Sequence, residues 1–227
     1  MADKQTFRIG EEFAGLDFNS SRLEKRFIKT METLAWQPGK SIWFCSENRA
    51  EAKAIYRLLG NDVLDREEIL RTHREATSRR MIESGETILA VQDTTSLNYN
   101  SQKKMEGIGY ICDKALGVNV HSCVAVTIKG LTLGLLAQSS YTREQAKDSS
   151  HTRNRILEEK ESYRWVETFE KSTALLPEEV KVITVCDREG DMYELLDAIE
   201  SKGRLFLIRV AQNRITVDNR LILDAIK

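Results

Sequence analysis

A break in hydrophobic periodicity near Ser84-Gly85 divides this chain into two halves that cannot share one architecture. Upstream, apolar residues recur every three or four positions, the period of a helix with one buried face. Downstream, β-branched and aliphatic runs alternate with one long amphipathic stretch. The upstream half holds three helix candidates. The first begins after Asn19-Ser20-Ser21, which can cap it, and runs to about Ala35 with Leu23, Phe27, Met31 and Leu34 on one side; Pro38-Gly39 ends it. The second runs from Ser46 to Gly60-Asn61. The third starts at Asp65, with Glu68 three residues on as a capping-box partner, and reaches about Ile82.

Downstream the spacing predicts strands over residues 87–92, 118–128, 131–138, 180–186 and 204–210, with a turn at Gly130. A charged helix is expected over residues 150–176, closed by Pro177, and a short helix over 191–202, ended by Gly203. The order is strand, strand, strand, helix, strand, helix, strand. Hairpin-length links followed by βα units imply a mixed five-stranded sheet with flanking helices, an α+β arrangement whose order is that of the ribonuclease-H-like fold. A doubly wound parallel sheet would need residues 98–116 to form a crossover, and their GIGY and Asp113-Lys114 read as loop. The expected domains are a helical one over residues 1–83 and a mixed one over 84–227.

Composition narrows the class further. With 227 residues, 41% hydrophobic, the chain can build a sizeable core, so wholesale disorder is excluded. No apolar run approaches the ~20 residues of a membrane helix, and MADKQTFRIG lacks the apolar stretch of a secretory signal. Four scattered cysteines (45, 112, 123, 186), none in a C-x-x-C pair, predict reduced structural thiols in a cytoplasmic protein and no zinc site. A formal net charge of −1 does not itself point to nucleic acid, but a basic face can be offset elsewhere.

Asp93 and Asp187 each follow directly on a predicted strand. A carboxylate there is held by the sheet and opens onto the crevice where α/β folds bind ligands. If the first and fourth strands are neighbours, the two anions converge and repel unless a cation lies between them. Oxygen ligands alone favour Mg²⁺ or Mn²⁺, and two such ions can drive in-line attack on phosphate. Each Asp alone reads equally as a turn or cap residue.

The residues around both acids add a resemblance. DTTSLNY (93–99) and VCDREGD (185–191) resemble the first two catalytic motifs of bacterial cut-and-paste DDE transposases of the insertion-sequence-four family, the group of the transposon-five transposase. PGKSIWFCSE (38–47), Ala54-Ile55-Tyr56-Arg57, Val120-His121-Ser122 and residues 204–209 are similar as well, so the likeness runs in order from about residue 15 to 220. It implies a helical DNA-binding domain before a ribonuclease-H-like core. It also implies Mg²⁺-dependent cutting and joining of phosphodiesters at transposon ends, Asp93 and Asp187 as two metal-binding acids, and Arg209 as a basic residue near the cut end. The family's third acid, a Glu within a Tyr…Arg…Glu…Lys pattern on a later helix, has no counterpart up to Lys227; Asp218, Asp224, Glu189 and Asp191 do not substitute. The expectation is therefore the N-terminal portion of a transposase, or a regulatory derivative of one. Alone it would bind metal weakly and catalyse several orders of magnitude more slowly.

Between residues 20 and 57, eight basic residues face four acidic ones. Arg22, Lys25, Arg26 and Lys29 fall on one side of the first helix, away from its apolar stripe. A solvated face with intrahelical pairs explains this on residue types alone. The resemblance adds that Arg22, Arg26, Lys40 and Arg57 match positions in or beside end recognition. Double-stranded transposon-end DNA is then the expected partner, beside a homodimer or pairing with full-length transposase. Of the remaining residues, His121 reads as packed core, His73 and His151 as unpartnered, and Trp36, Trp43 and Trp165 as packing between domains.

Overall fold

The computed structural model describes residues 9–102, 104–112, 114–143, 161–174, 176–216 and 218–225. The chain forms two compact units, Met1–Arg79 and Arg80–Lys227. Among the described residues no helix is long and apolar enough to cross a membrane. The expected helix over residues 150–176 falls partly outside the described residues; its described part is α6 (Tyr163–Thr173).

The first unit is helical: α1 (Ile9–Glu12), α2 (Ser21–Ala35), α3 (Ile42–Cys45), α4 (Arg49–Leu59) and the start of α5 (Arg66–Ser84). The Ser20 hydroxyl accepts the Leu23 N–H and starts α2 where the sequence places it. Phe27 is buried between Phe13 and Phe18 in edge-on contacts at 5.0 and 5.6 Å, with Leu58 of α4 closing the core. Three expectations are corrected. The second helix begins at Arg49 rather than Ser46, because Asn48 Oδ1 takes both the Ala50 and Glu51 N–H groups, while residues before it form the separate turn α3. Glu68 makes no capping box: its carboxylate accepts Asp17 N–H at 2.9 Å and is clamped by Arg71, which holds its pKa at about 2. His73 has a partner, with Nδ1 2.6 Å from Glu12 Oε1.

The second unit is built on a mixed sheet: β1 (Ile88–Asn98), β2 (Gly109–Tyr110), β3 (Leu116–Thr127), β4 (Thr132–Tyr141), β5 (Val182–Cys186) and β6 (Leu205–Ile208). β3 lies antiparallel between β1 and β4, β1 pairs parallel with β5, and β5 pairs parallel with β6; the short β2 extends β3 on its β4 side. The order β4-β3-β1-β5-β6 with these directions is consistent with the ribonuclease-H-like arrangement expected from the sequence. Gly130, at φ +88°, turns β3 into β4. The first strand is longer than expected. It continues beyond Gln92 to Asn98 because β3 goes on pairing with it, Asp93 opposite Ser122 and Asn98 opposite Gly117.

Strand alternation sends Ile88, Ala90 and Gln92 of β1, with Cys123 and Ala125 of β3 and Val182 and Cys186 of β5, to one buried face. α6 covers that face with Trp165 and Phe169, joined by Leu195 and Ile199 of α7 (Tyr193–Ser201). Trp165 thus packs inside one unit. The four cysteines are free, and burial pushes the Cys123 and Cys186 thiols up to about 12. His121 is wholly buried, as its strand position implies. Its Nε2 lies 3.2 Å from Gln92 Oε1, its Nδ1 2.8 Å from Thr94 Oγ1, and Trp165 stands edge-on to its ring at 4.5 Å. One neutral tautomer, with the proton on Nε2, satisfies both bonds. Burial first, then the Arg164 cation, push the imidazole down to about 4, against the raising effect of Asp187.

Two outcomes follow from this core. A Cβ at Gly117 would lie 1.9 Å from the Leu97 carbonyl oxygen, so Gly117→Ala must separate β1 from β3 and should cost at least ~2 kcal/mol in urea unfolding. Unfolded His121 binds a proton below about 6.5 and the folded residue only below about 4. The stabilisation is therefore complete above pH 6.5 and lost as pH falls towards 4, by roughly 3 kcal/mol in all. Urea unfolding across that window should show His121→Gln with the shallower loss.

Candidate functional site

Asp93 lies within β1 rather than at its end, beside the point where the neighbouring β5 stops. The parallel β1–β5 ladder stops at Gln92 opposite Cys186, where β5 ends, while β1 continues along β3. Beyond that pair β1 loses one neighbour. Asp93 and Asp187 are the next residues on the two strands. Ile88 pairs with Val182 and Gln92 with Cys186, an offset of 94 that Asp93 and Asp187 also keep. Neighbouring strands lie about 5 Å apart, and alternation within β1 turns Asp93 away from Gln92, to the face opposite α6, while Asp187 starts the turn that follows β5.

β6 adds a third member to the row. Ile208 pairs with Cys186, and Arg209 N–H donates to the Cys186 carbonyl at 3.2 Å. Arg209 is therefore the residue beside Asp187, one strand further out. Three residues expected to act at one site thus follow one another across β1 and the ends of β5 and β6, and all three are exposed.

The loop after β5 is held tightly. Asp187 Oδ1 accepts the Glu189 N–H at 2.8 Å and caps a short 3₁₀ turn over Arg188–Gly190. A Cβ on Gly190 would meet Cys186 Cβ at 2.5 Å, so only glycine lets this turn close on the strand. Glu189 points away to Arg164 at 2.7 Å. Asp191 is buried; burial works against its ionisation, but the Ala211 and Gln212 N–H groups and the Arg214 guanidinium outweigh it and hold the carboxyl below its ordinary range. Both acids are thus committed elsewhere. Asp218 pairs with Arg220 at 3.8 Å, and Asp224 lies on the short α8 (Ile222–Ala225). Among the described residues no group of three or more His, Cys, Asp or Glu side chains is placed to hold a metal ion. Asp93 and Asp187 suit a hard cation by donor type, and two carboxylates would supply only part of its coordination shell.

In the helical unit, Arg22, Lys25, Arg26 and Lys29 are exposed along α2 and line a shallow depression with Ser21. Lys40 follows Gly39, which turns the chain at φ +81°, and its Nζ stands 5.5 Å above the Phe44 ring. Arg57 is exposed on α4. The structure adds a second face that a count of charges does not separate. Arg49, Lys53, Tyr56 and Arg57 are all exposed and spaced four, three and one apart, so they share one side of α4. Glu51 falls on the other side, where it meets Lys29 of α2 at 3.7 Å and accepts the Glu47 N–H. The cationic row of α4 therefore carries no acid, and the signal was its helical spacing. Trp36 and Trp43, expected to pack, are instead 77% and 62% exposed. His151 lies outside the described residues.

Residues 9–64 match a protein-family model described as transposase DNA-binding. The matched segment contains α1 through α4, with both cationic rows. It supports a transposase N-terminus and DNA as a partner for this chain.

Proposed function

We propose that the chain is the N-terminal part of a DDE transposase of the insertion-sequence-four type that binds double-stranded DNA at transposon ends. Arg22 and Arg26 of α2, Lys40 in the loop after it and Arg57 of α4 contact the duplex. The carrying observation is the match over residues 9–64 to a transposase DNA-binding family, laid over two exposed cationic helix faces. Side chains so arranged position a duplex through its phosphates, and an exposed helix face fits the major groove.

In the same reading, Asp93 and Asp187 hold Mg²⁺ or Mn²⁺, which when bound supplies charge for an oxygen nucleophile and a leaving oxygen at a phosphodiester. Their common register on neighbouring strands supports this role. Arg209, beside Asp187, neutralises phosphate at the end being cut. Two carboxylates leave a shared metal site short of ligands, so the chain alone binds the ion weakly and cuts poorly. A second reading, a DNA-binding regulatory derivative that occupies ends without cutting, is favoured by the engagement of Glu189 and Asp191 in other contacts. A homodimer, or pairing with full-length transposase, and a cytoplasmic location at the nucleoid complete the proposal.

Footprinting over an inverted-repeat end and over random duplex tests the binding half. Protection of the end at moderate salt is expected, and equal protection of both sequences would remove end recognition. Arg26→Ala should weaken binding and reduce the slope of log K against log[salt] by about 0.9. Mn²⁺ titration followed by electron paramagnetic resonance tests the metal half. Weak binding that disappears in Asp93→Asn and in Asp187→Asn is expected, and retention in both would end the metal assignment. Metal-dependent nicking of end DNA separates the two readings.

A further inference from the structure

The helical unit buries aromatic rings where it needs them, in the Phe13–Phe27–Phe18 stack. Trp36, Trp43 and Phe44 stand outside that core at 77%, 62% and 60% exposure. Their placement is not random. Trp36 caps α2 with helical backbone angles, φ −63° and ψ −31°, so the helix phase extends to it. At 100° per residue it falls on the same side as Arg22, Lys25, Arg26 and Lys29. The row from Arg22 to Trp36 is about 21 Å long at 1.5 Å per residue, and Glu32 lies at its margin rather than within it. A body that covers the four cations along α2 therefore reaches the indole.

The neighbouring turn adds to this end of the row. Cys45 Sγ lies 3.6 Å from the Gln37 carbonyl oxygen, which ties α3 to the residue after Trp36. Lys40 stands over the Phe44 ring, and Trp43 is next along the same turn. Cations thus run along α2 to the indole of Trp36, and the turn tied to that end of the helix carries two more exposed rings. Cations meet phosphates, and flat rings pack on deoxyribose faces or wedge against a base step where a duplex kinks. A protein partner would need an acidic strip running into an apolar patch. DNA offers charge and flat apolar faces together, and the charge complementarity selects it.

We propose that Trp36 and Trp43, with Phe44, form an aromatic contact against the bases or deoxyriboses of the DNA held by α2. It rests on the DNA-binding reading above and adds a contact whose strength does not depend on salt. Trp36, Trp43 and Trp165 are the three tryptophans of the chain, and Trp165 is 1% exposed. Changes in tryptophan emission on binding therefore report the two exposed residues.

The test uses the full chain and a 5′-fluorescein-labelled mixed-sequence duplex of ~30 base pairs, long enough to cover the α2 row several times over. Fluorescein anisotropy reads binding, and tryptophan emission with an unlabelled copy of the duplex reads the aromatic contact. Binding should quench and shift the emission. Trp36→Ala and Trp43→Ala, both at exposed positions, should each weaken binding about ten-fold at every salt concentration, with the salt slope unchanged. Lys25→Ala should weaken binding chiefly at low salt and flatten the slope. Anisotropy change without emission change, or full affinity in both tryptophan variants, would overturn the aromatic contact and leave DNA binding standing. No anisotropy change at low salt would remove both. An emission shift that follows protein concentration without DNA would overturn the proposal and assign the rings to contact between copies of the chain.

Discussion

The parallel ladder between β1 and β5 is the constraint on which the second unit depends. It joins segments 94 residues apart and keeps that offset for five consecutive pairs. A slip by one residue would turn every side chain of β5 to the other face. Val182, Thr184 and Cys186 would leave the buried side, and Asp187 would no longer stand level with Asp93. The same apolar pattern that fixes the core therefore fixes the acids. β6 is largely exposed and is held by its backbone ladder to β5, whose pairing of Ile208 with Cys186 puts Arg209 beside Asp187. The local motifs around residues 93, 187 and 209 mark the three residues, and the long-range ladders bring them into line, with burial setting the β1–β5 register.

Much of this was legible in the sequence. Alternation in β3 is so regular that buried and half-buried residues interchange along all twelve positions, and the order of strands and helices left few topologies. The end of β1 was not legible. Thr94, Thr95, Ser96 and Asn98 lack the apolar alternation that marks a strand, yet they are strand because β3 supplies backbone partners and because His121 and Asn119 bond to Thr94 and Ser96. Tertiary hydrogen bonds overrode local propensity. The row on α4 was hidden for a different reason: charge counts add Glu51 to Arg49, Lys53 and Arg57, whereas the helix puts it on the far side. The exposure of Trp36 and Trp43 had no sequence signal, since large rings are more often packed than presented.

Polar chemistry in the second unit is arranged in two layers. On the α6 side, Gln92, His121 and Thr94 form a chain of neutral hydrogen bonds around a buried imidazole. On the other side, the next residue of β1 is the exposed Asp93. Neutrality beneath and charge above is the arrangement that lets a strand carry a carboxylate at its surface without placing an uncompensated ion in its core. His121 is suited to that place because its depressed pKa keeps it uncharged at neutral pH.

The loop after β5 extends the argument from position to rigidity. Asp187 caps the turn through one oxygen, Gly190 closes it against Cys186, and Asp191 locks its far end to residues 211, 212 and 214. Glu189 adds an ion pair to Arg164, which also bonds to the Glu161 carbonyl, and Glu161 in turn grips Arg143 beside β2. These contacts fix the backbone on both sides of Asp187 within the folded chain. A carboxylate held this way loses little further conformational freedom on meeting a cation, while its capping bond leaves the second oxygen available as a ligand. Capping by one oxygen would therefore be compatible with the proposed metal binding by the other, the two divided between two atoms of one side chain.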